Sequence, residues 1–316
     1  MTFSSDRWTA ADITDQNGRT ALVTGANSGL GFQTAVQLAE HGAHVLLGVR
    51  DIPRGEQALA RLTKAVPGAA AELVALDLAD QASIRAAADD VSQRVEKLDI
   101  LVNNAGVMAT PYRRTVDGFE QQLGTNHLGH FALTGLLLPS LLAAPAPRVV
   151  TVSSLAHAAG VIDFDDLQSE RSYNPMTAYA QSKLANLLFA GELDRRAQAS
   201  GSHLVSVAAH PGVAATNLMR GRPGEGGRIR GLLFGLGFRI AGQSDARGAW
   251  SQLYAATAPD VAGGQYVGPG LFGEWRGSPV QVDRSAAAKD LSYGTWLWEV
   301  SEQLTGVSFD LPVSTV

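Results

Sequence analysis

Short apolar runs of β-forming residues recur between longer helical stretches, and this alternation restricts the chain to very few architectures. The runs lie at Thr20 to Thr24, His44 to Val49, Glu72 to Leu76, Ile100 to Val102, Arg148 to Val152 and Leu204 to Ala208. Most are apolar nearly throughout rather than at every second position, the pattern of parallel strands covered on both faces. Helical patterns fill intervals between them, at Phe32 to Glu40, Gln81 to Val95 and Tyr179 to Ala199. The expectation is an α/β fold, a single-domain doubly wound parallel sheet with helices on both faces. Right-handed crossovers place every strand C-terminus on one edge, where sheets of this kind bind ligands.

No composition shift or internal repeat divides the chain. Residues 18–308 are expected to form the domain, after an N-terminal extension of 1–17 and before a tail of 309–316. A segment rich in Gly and Arg, Leu218 to Gly242, breaks the alternation with an apolar cluster at Leu232, Leu233, Phe234, Leu236, Phe238 and Ile240. Beyond it come a helical stretch near Ala246 to Thr257, a Gly/Pro-rich loop from Gly263 to Pro279, and a closing helix from Ala286 to Leu304. The most apolar stretch, Phe131 to Ala144, is too short to span a bilayer and contains Pro139, so it reads as a core helix.

Hydrophobic residues make up 45% of the 316 and charged residues 17%, which supports a sizeable core and excludes a disordered chain. A formal net charge of -5 offers no basic face, so no nucleic-acid partner is expected. With no cysteine, disulfides, thiolate catalysis and thiolate metal sites are excluded. The N-terminus lacks the basic-then-apolar layout of a signal peptide, and the expectation is a cytoplasmic protein without a membrane anchor.

The first strand runs into TGANSGLG, Thr24 to Gly31, and then into a helix. Gly25 allows a tight turn, Gly29 lets backbone N–H groups approach a pyrophosphate, and Gly31 lets the helix pack closely on the sheet. The helix N-terminus adds partial positive charge. With Asn27, Ser28 and Leu30 these glycines form the first group of cofactor-binding candidates. An ordinary strand-to-helix turn uses the same residue types; the strand before, the helix after and the place near the chain start favour a nucleotide. The spacing Gly-x-x-x-Gly-x-Gly, preceded by Thr, resembles the short-chain dehydrogenase/reductase family, which implies a Rossmann fold and nicotinamide-dependent oxidoreduction.

The second strand ends in GVRD, Gly48 to Asp51. Val49 stands where an acid would bind the adenosine 2′-hydroxyl of NAD(H), and the guanidinium of Arg50 suits a 2′-phosphate. NADP(H) is therefore the expected cofactor, with NAD(H) as the alternative; the opposing reading pairs Arg50 with Asp51 or Glu56. The resemblance implies that Asp77 and the backbone of Leu78 lie near the adenine, although Asp77 could equally cap the next helix. It also implies that Asn104, Ala105 and Gly106, in the NNAG that follows the fourth strand, pack against the cofactor.

Tyr179 and Lys183 stand four apart on a helical stretch, so their side chains emerge on one face. A phenol has an unperturbed pKa of about 10; a neighbouring ammonium and a cationic nicotinamide would lower it and make Tyr179 an acid–base group. Lys183 would also reach the nicotinamide ribose. At the end of the fifth strand, a serine hydroxyl could stabilise charge on a substrate oxygen. Ser154 aligns with the family's serine, and Ser153 is the alternative. The gap from Ser154 to Tyr179 exceeds the family's commonest spacing and is similar to the retinol-dehydrogenase-like branch, without that branch's N-terminal membrane anchor. The resemblance makes Asn126, in TNHLGH, the fourth member of the set, holding a helix irregularity and a water. After the sixth strand, HPGVAATNL places Pro211, Gly212, Val213 and Thr216 where the family binds the nicotinamide carboxamide; Thr216 could instead cap a following helix.

The segment of about 218–245 falls where the family carries its substrate lid, and its apolar cluster suits a lipophilic carbonyl or alcohol substrate, a subunit contact or a membrane surface. The resemblance implies a homodimer or homotetramer paired through the helices of Asn126 and Tyr179, while monomers occur in the branch. His127 and His130 could face a metal, but without a third ligand a core-capping pair is favoured and no metal is expected. His157 could touch substrate or bond a backbone group. Two rival readings, a non-catalytic dinucleotide sensor and a sugar-nucleotide epimerase or dehydratase, are disfavoured by the complete Ser, Tyr and Lys set and by the lack of a separate sugar-nucleotide domain.

Overall fold

The computed structural model describes residues 8–212 and 243–312. Its centre is one sheet of eight strands in the order β3-β2-β1-β4-β5-β6-β7-β8. In chain order the elements are β1 (Thr20–Thr24), α1 (Gly29–Glu40), β2 (His44–Val49), α2 (Ile52–Ala65), β3 (Ala71–Ala75), α3 (Gln81–Arg94) and β4 (Ile100–Asn103). There follow α4 (Gln121–Leu123), a π segment (Gly124–Leu128), α5 (Gly129–Leu136), α6 (Leu138–Leu142), β5 (Arg148–Val152), α7 (Pro175–Ala199) and β6 (Val205–Ala209). The described C-terminal part holds α8 (Asp245–Gly248), α9 (Trp250–Thr257), β7 (Tyr266–Leu271), β8 (Arg276–Gln281), α10 (Ala286–Lys289) and α11 (Leu291–Thr305).

The six expected strands form within a residue of their predicted bounds, and they pair in parallel with each other and with β7. The reversal of strand order on either side of β1 and β4 makes their shared C-terminal edge the crevice of the fold. Apolar runs such as Leu22, Leu46, Leu101 and Val149 are fully buried because helices cover both faces.

The stretch expected as a loop at Gly263 to Pro279 is instead a hairpin: β7 and β8 pair antiparallel, with a register shift between Pro269 and Leu271. Its Gly/Pro content concealed the strands. Pro269 faces Pro279, and a proline is tolerated where the strand lies at the sheet edge or a bulge interrupts the ladder.

Two helices have almost no solvent-facing side. Every residue of Gln122–Gly135 and every residue of Ala178–Ala190 is buried. The sheet takes one side of α7, and α11 packs on both α7 and α5. An aromatic group seals this contact, with Phe131, Phe189 and Phe309 around Trp298 at centroid distances of 5.1, 5.9 and 4.4 Å. Burial of rings this size supplies a large part of the packing energy of such a seam. Near the other end of the chain, Trp8 stacks edge-on against Tyr254 of α9 at 5.4 Å.

Candidate active site

The glycine turn and the NNAG turn are built as one unit. The Thr24 hydroxyl, at the end of β1, accepts the backbone N–H groups of Asn104 and Ala105, each at 2.9 Å. The Asn104 amide donates to the Thr24 carbonyl at 2.8 Å and accepts from Gln252 at 3.2 Å. Gly25 has φ +68°, and a Cβ on it would stand 3.0 Å from Ala105; one on Gly31 would reach Asn104 Nδ2 and the Gly25 carbonyl at 2.5 Å. Side chains are excluded at both positions by the closeness of the two turns. Gly29 differs: with φ +58° its missing side chain would meet nothing within 4 Å, so its backbone opens onto free space at the N-terminus of α1.

That space is a cleft lined by Gly25, Asn27, Ser28, Gly29, Leu30, Gly31, Arg50, Asp77, Leu78, Asn104, Ala105 and Gly106. All the cofactor-binding candidates from Gly25 to Gly106 thus meet in one place. Thr24 and Arg54 line it as well and were not anticipated from sequence; the hydroxyl of Thr24 acts through backbone groups, which a sequence pattern does not reveal. Arg50 is exposed and makes no ion pair among the described residues, because Asp51 caps α2 and meets Arg54 at 3.4 Å. Asp77 accepts the Ala79 N–H at 3.0 Å, while the N-cap of α3 is Asp80, so the capping role weighed for Asp77 goes to its neighbour.

The chemistry-bearing side chains gather at the ends of β4 and β5. Lys183 is buried, and its ammonium donates to the Val152 carbonyl at 3.0 Å, an acceptor it shares with Asn186. Its Nζ lies 5.7 Å from the centre of the Tyr179 ring, one turn earlier on α7. Burial pushes the Tyr179 phenol up to about 12, with the Ser154 hydrogen bond offsetting part of the rise, and burial brings Lys183 down to about 8. The phenol therefore shifts upward, opposite to the expected lowering, because desolvation of the phenolate outweighs its neighbours. Ser153 turns away and donates to the Lys183 carbonyl at 2.8 Å, which leaves Ser154 as the serine beside Tyr179.

Asn126 sits in the π segment, as the resemblance implied. Its Oδ1 accepts the Val107 N–H at 2.8 Å, and its Nδ2 donates to the Val107 carbonyl and to Ser182 Oγ, both at 2.9 Å. Gly106 lies so near that a Cβ there would stand 3.1 Å from Asn126 Oδ1 and 3.6 Å from Lys183 Nζ. The chain after NNAG, the π turn and α7 are thereby drawn together.

The histidines divide as a core would use them. His130 Nδ1–H donates to the Asn126 carbonyl at 2.9 Å, which leaves Nε2 to accept from the Thr24 hydroxyl at 2.9 Å. His127 instead meets Ser301 Oγ at 2.8 Å on α11, and no metal-ligand cluster of three or more groups occurs among the described residues. His157 bonds the Ser154 carbonyl at 2.8 Å through Nδ1 and receives the Ser285 N–H at 3.3 Å, so it takes the backbone role. Pro211 and Gly212 follow β6 on the same sheet edge, Pro211 accepting from Gln243 at 2.9 Å. Val213, Thr216 and the segment Leu218 to Gly242 lie outside the described residues.

Comparison with known proteins agrees with this geometry. The pattern of the short chain dehydrogenase family matches residues 19–224. The chain belongs to that family. This short-chain dehydrogenase is 41% identical over 301 residues to retinol dehydrogenase 14 of Mus musculus, covering 92% of this chain and 87% of the relative. It is 41% identical over 295 residues to polyprenol dehydrogenase of Mus musculus, covering 92% and 85%. A crystal structure of an uncharacterized protein from Mycobacterium Paratuberculosis superposes with a TM-score of 0.79 at 46% identity, covering 96% of this chain and 99% of the other. The short-chain dehydrogenase described here is accordingly retinol-dehydrogenase-like, a NAD(P)-dependent oxidoreductase acting on alcohol and carbonyl groups. Among its described residues no helix is long and apolar enough to cross a membrane.

The buried histidines make the fold sensitive to acid. Burial takes His127 down to about 3, helped by His130, and takes His130 down to about 4, a fall that its bond to the Asn126 carbonyl opposes and that Lys183 adds to. Both are neutral in either state above the unfolded value of about 6.5. Below it the unfolded chain takes up protons that the folded chain refuses, so stability is lost as pH falls from 6.5 toward 4. Thermal melts from pH 7 to 4.5 should show a steep decline that is shallower in His127→Leu; parallel slopes would show that this burial does not set acid stability.

Proposed function

We propose that this dehydrogenase uses NADP(H) to interconvert a lipophilic alcohol and its carbonyl, with Tyr179 as the acid–base group. The observation that carries this reading is that Ser154 bonds Tyr179, while Lys183 lies near both the Tyr179 ring and Gly106, a residue of the cleft that Gly29 and Arg50 line. The open backbone at Gly29 suits a pyrophosphate, and Arg50, which lines the same cleft, suits a 2′-phosphate. Val49 is buried and leaves no carboxylate at the end of β2 to favour NAD(H). A solved short chain dehydrogenase from Shigella flexneri, complexed with NADP, shares the fold at a TM-score of 0.62 and 22% identity, covering 81% of this chain and 98% of that one.

When bound, a nicotinamide in this cleft supplies or accepts the hydride. Asn126, Ser154, Tyr179 and Lys183 then have separable roles. A phenol held near 12 is fully protonated at neutral pH and can give its proton to a carbonyl oxygen as the carbon is reduced. Ser154 donates to the same oxygen and stabilises the charge that develops there. Lys183 holds the cofactor's ribose and, while charged, favours the phenolate left behind. Asn126 keeps the π turn and the Val107 backbone in place. Pro211, Gly212, Val213 and Thr216 take the carboxamide. The lipophilic substrate is proposed from the named relatives, a retinol and a polyprenol dehydrogenase.

An assay of NADPH oxidation tests the whole reading. Bulky apolar aldehydes should outperform short polar ones, and Tyr179→Phe should lower turnover by about a thousandfold with cofactor binding retained. The rate of carbonyl reduction should decline as pH rises through about 8, where Lys183 loses its charge. Turnover by folded Tyr179→Phe at the wild-type rate would overturn the mechanism.

Cofactor choice is tested at one position. Arg50→Ala should cut kcat/KM for NADPH by about tenfold to a hundredfold, the loss of one or two charge-assisted bonds, and spare NADH. Equal or better kcat/KM with NADH in the wild type would reverse the assignment.

The burial of α5 and α7 bears on how the chain associates. The pairing implied by resemblance needs an exposed face along these helices, yet Gly129–Gly135 of α5 and Ala178–Ala190 of α7 are buried within one chain, and α11 packs on both helices. This supports a protein that does not dimerise through them. Light scattering after size exclusion should find no dimer that depends on α5 or α7; a stable dimer broken by Met176→Glu, on the exposed first turn of α7, would contradict it.

A further inference from the structure

The turn of the β7–β8 hairpin takes a backbone that most side chains avoid. Phe272, Gly273 and Glu274 have φ of 53°, 65° and 67° in succession. Left-handed backbone at two residues that carry Cβ atoms persists only where surrounding contacts hold it, and such positions collect around functional sites. The contact that holds Glu274 is specific. Its carboxylate accepts from Nε2 of His210 at 3.1 Å.

His210 has no exposed surface and directly follows Ala209, the last residue of β6, before Pro211 and Gly212. Its Nδ1 accepts the Gly212 N–H at 3.2 Å, so the ring proton belongs on Nε2, where Glu274 receives it. One tautomer satisfies both bonds. The surroundings are cut to this arrangement. A Cβ on Gly268 would collide with His210 Nε2, and one on Gly212, at φ +65°, would reach the Trp275 carbonyl at 2.5 Å and the Glu274 carbonyl at 2.9 Å. Gln243 holds the adjoining Pro211 carbonyl. The hairpin turn therefore rests on the backbone of Gly212 and grips it through a buried imidazole.

We propose that Glu274 is a positioning residue for the cofactor's nicotinamide half: through His210 it fixes the Gly212 N–H and the turn it belongs to. The inference rests on the reading above that places the carboxamide against Pro211 and Gly212. It goes beyond that reading by assigning a role to a side chain one third exposed on a hairpin remote in sequence from every cofactor motif.

The exposed position lets the test be made without unfolding the chain. Binding of NADPH and of 2′,5′-ADP, which lacks the nicotinamide half, is measured by calorimetry for wild type, Glu274→Ala and Glu274→Gln. Glu274→Ala should weaken NADPH by about tenfold, the loss of one hydrogen bond to a charged group, and leave 2′,5′-ADP within about twofold. Glu274→Gln, which still accepts from His210, should restore NADPH affinity to within about threefold. Unchanged NADPH binding in Glu274→Ala, or an equal loss of both ligands, would overturn the proposal. Wild-type protein that binds neither ligand would remove the cofactor reading itself, and the tether with it.

Discussion

A lysine ammonium buried on a single backbone carbonyl is the constraint around which this site is arranged. Burying a charge is expensive unless hydrogen bonds replace water, and among the described residues Lys183 finds its acceptor in Val152, the last residue of β5. That bond ties α7 to the sheet at the point where Ser153 and Ser154 leave it. Ser153 reinforces the tie through the Lys183 carbonyl. Tyr179 then has its position set from two sides, by its place one turn earlier on the same helix and by Ser154. Because the same burial raises the phenol and lowers the amine, proton affinities at this centre are governed by desolvation more than by mutual attraction. A centre of that kind keeps its phenol fully protonated at neutral pH.

The cofactor side depends on a different kind of constraint, namely closeness of backbones. Thr24, Asn104, Gly25 and Gly31 hold the two turns close together, and His130 carries the same connection to the π segment through Thr24 on one nitrogen and Asn126 on the other. One continuous set of hydrogen bonds therefore runs from the glycine turn to the helix that bears Asn126. Damage to either turn propagates to the other, since they share donors and acceptors.

Much of this was legible in the residues. Apolar runs announced six parallel strands, and TGANSGLG, NNAG and Tyr-x-x-x-Lys announced where the crevice would be, because each depends on local geometry that restricts residue type. What sequence could not show has a common cause. The hairpin at Tyr266 to Gln281 hid behind glycines and prolines whose meaning depends on pairing across the sheet edge. The capping of α3 by Asp80 rather than Asp77 turned on where β3 stops, at Ala75. The direction of the Tyr179 shift depended on how completely the folded chain encloses the phenol, which no local pattern displays.

β7 runs parallel to β6, so it ends on the same edge as the crevice, and an antiparallel β8 returns immediately rather than crossing the sheet through a helix. A short turn is thereby left on the ligand-facing edge. A parallel eighth strand would have sent the chain across a face of the sheet and carried Glu274 and Trp275 away from Gly212. The antiparallel reversal is thus what allows a strained hairpin turn to stand over the end of β6, and it explains why His210 can be buried there with both nitrogens satisfied.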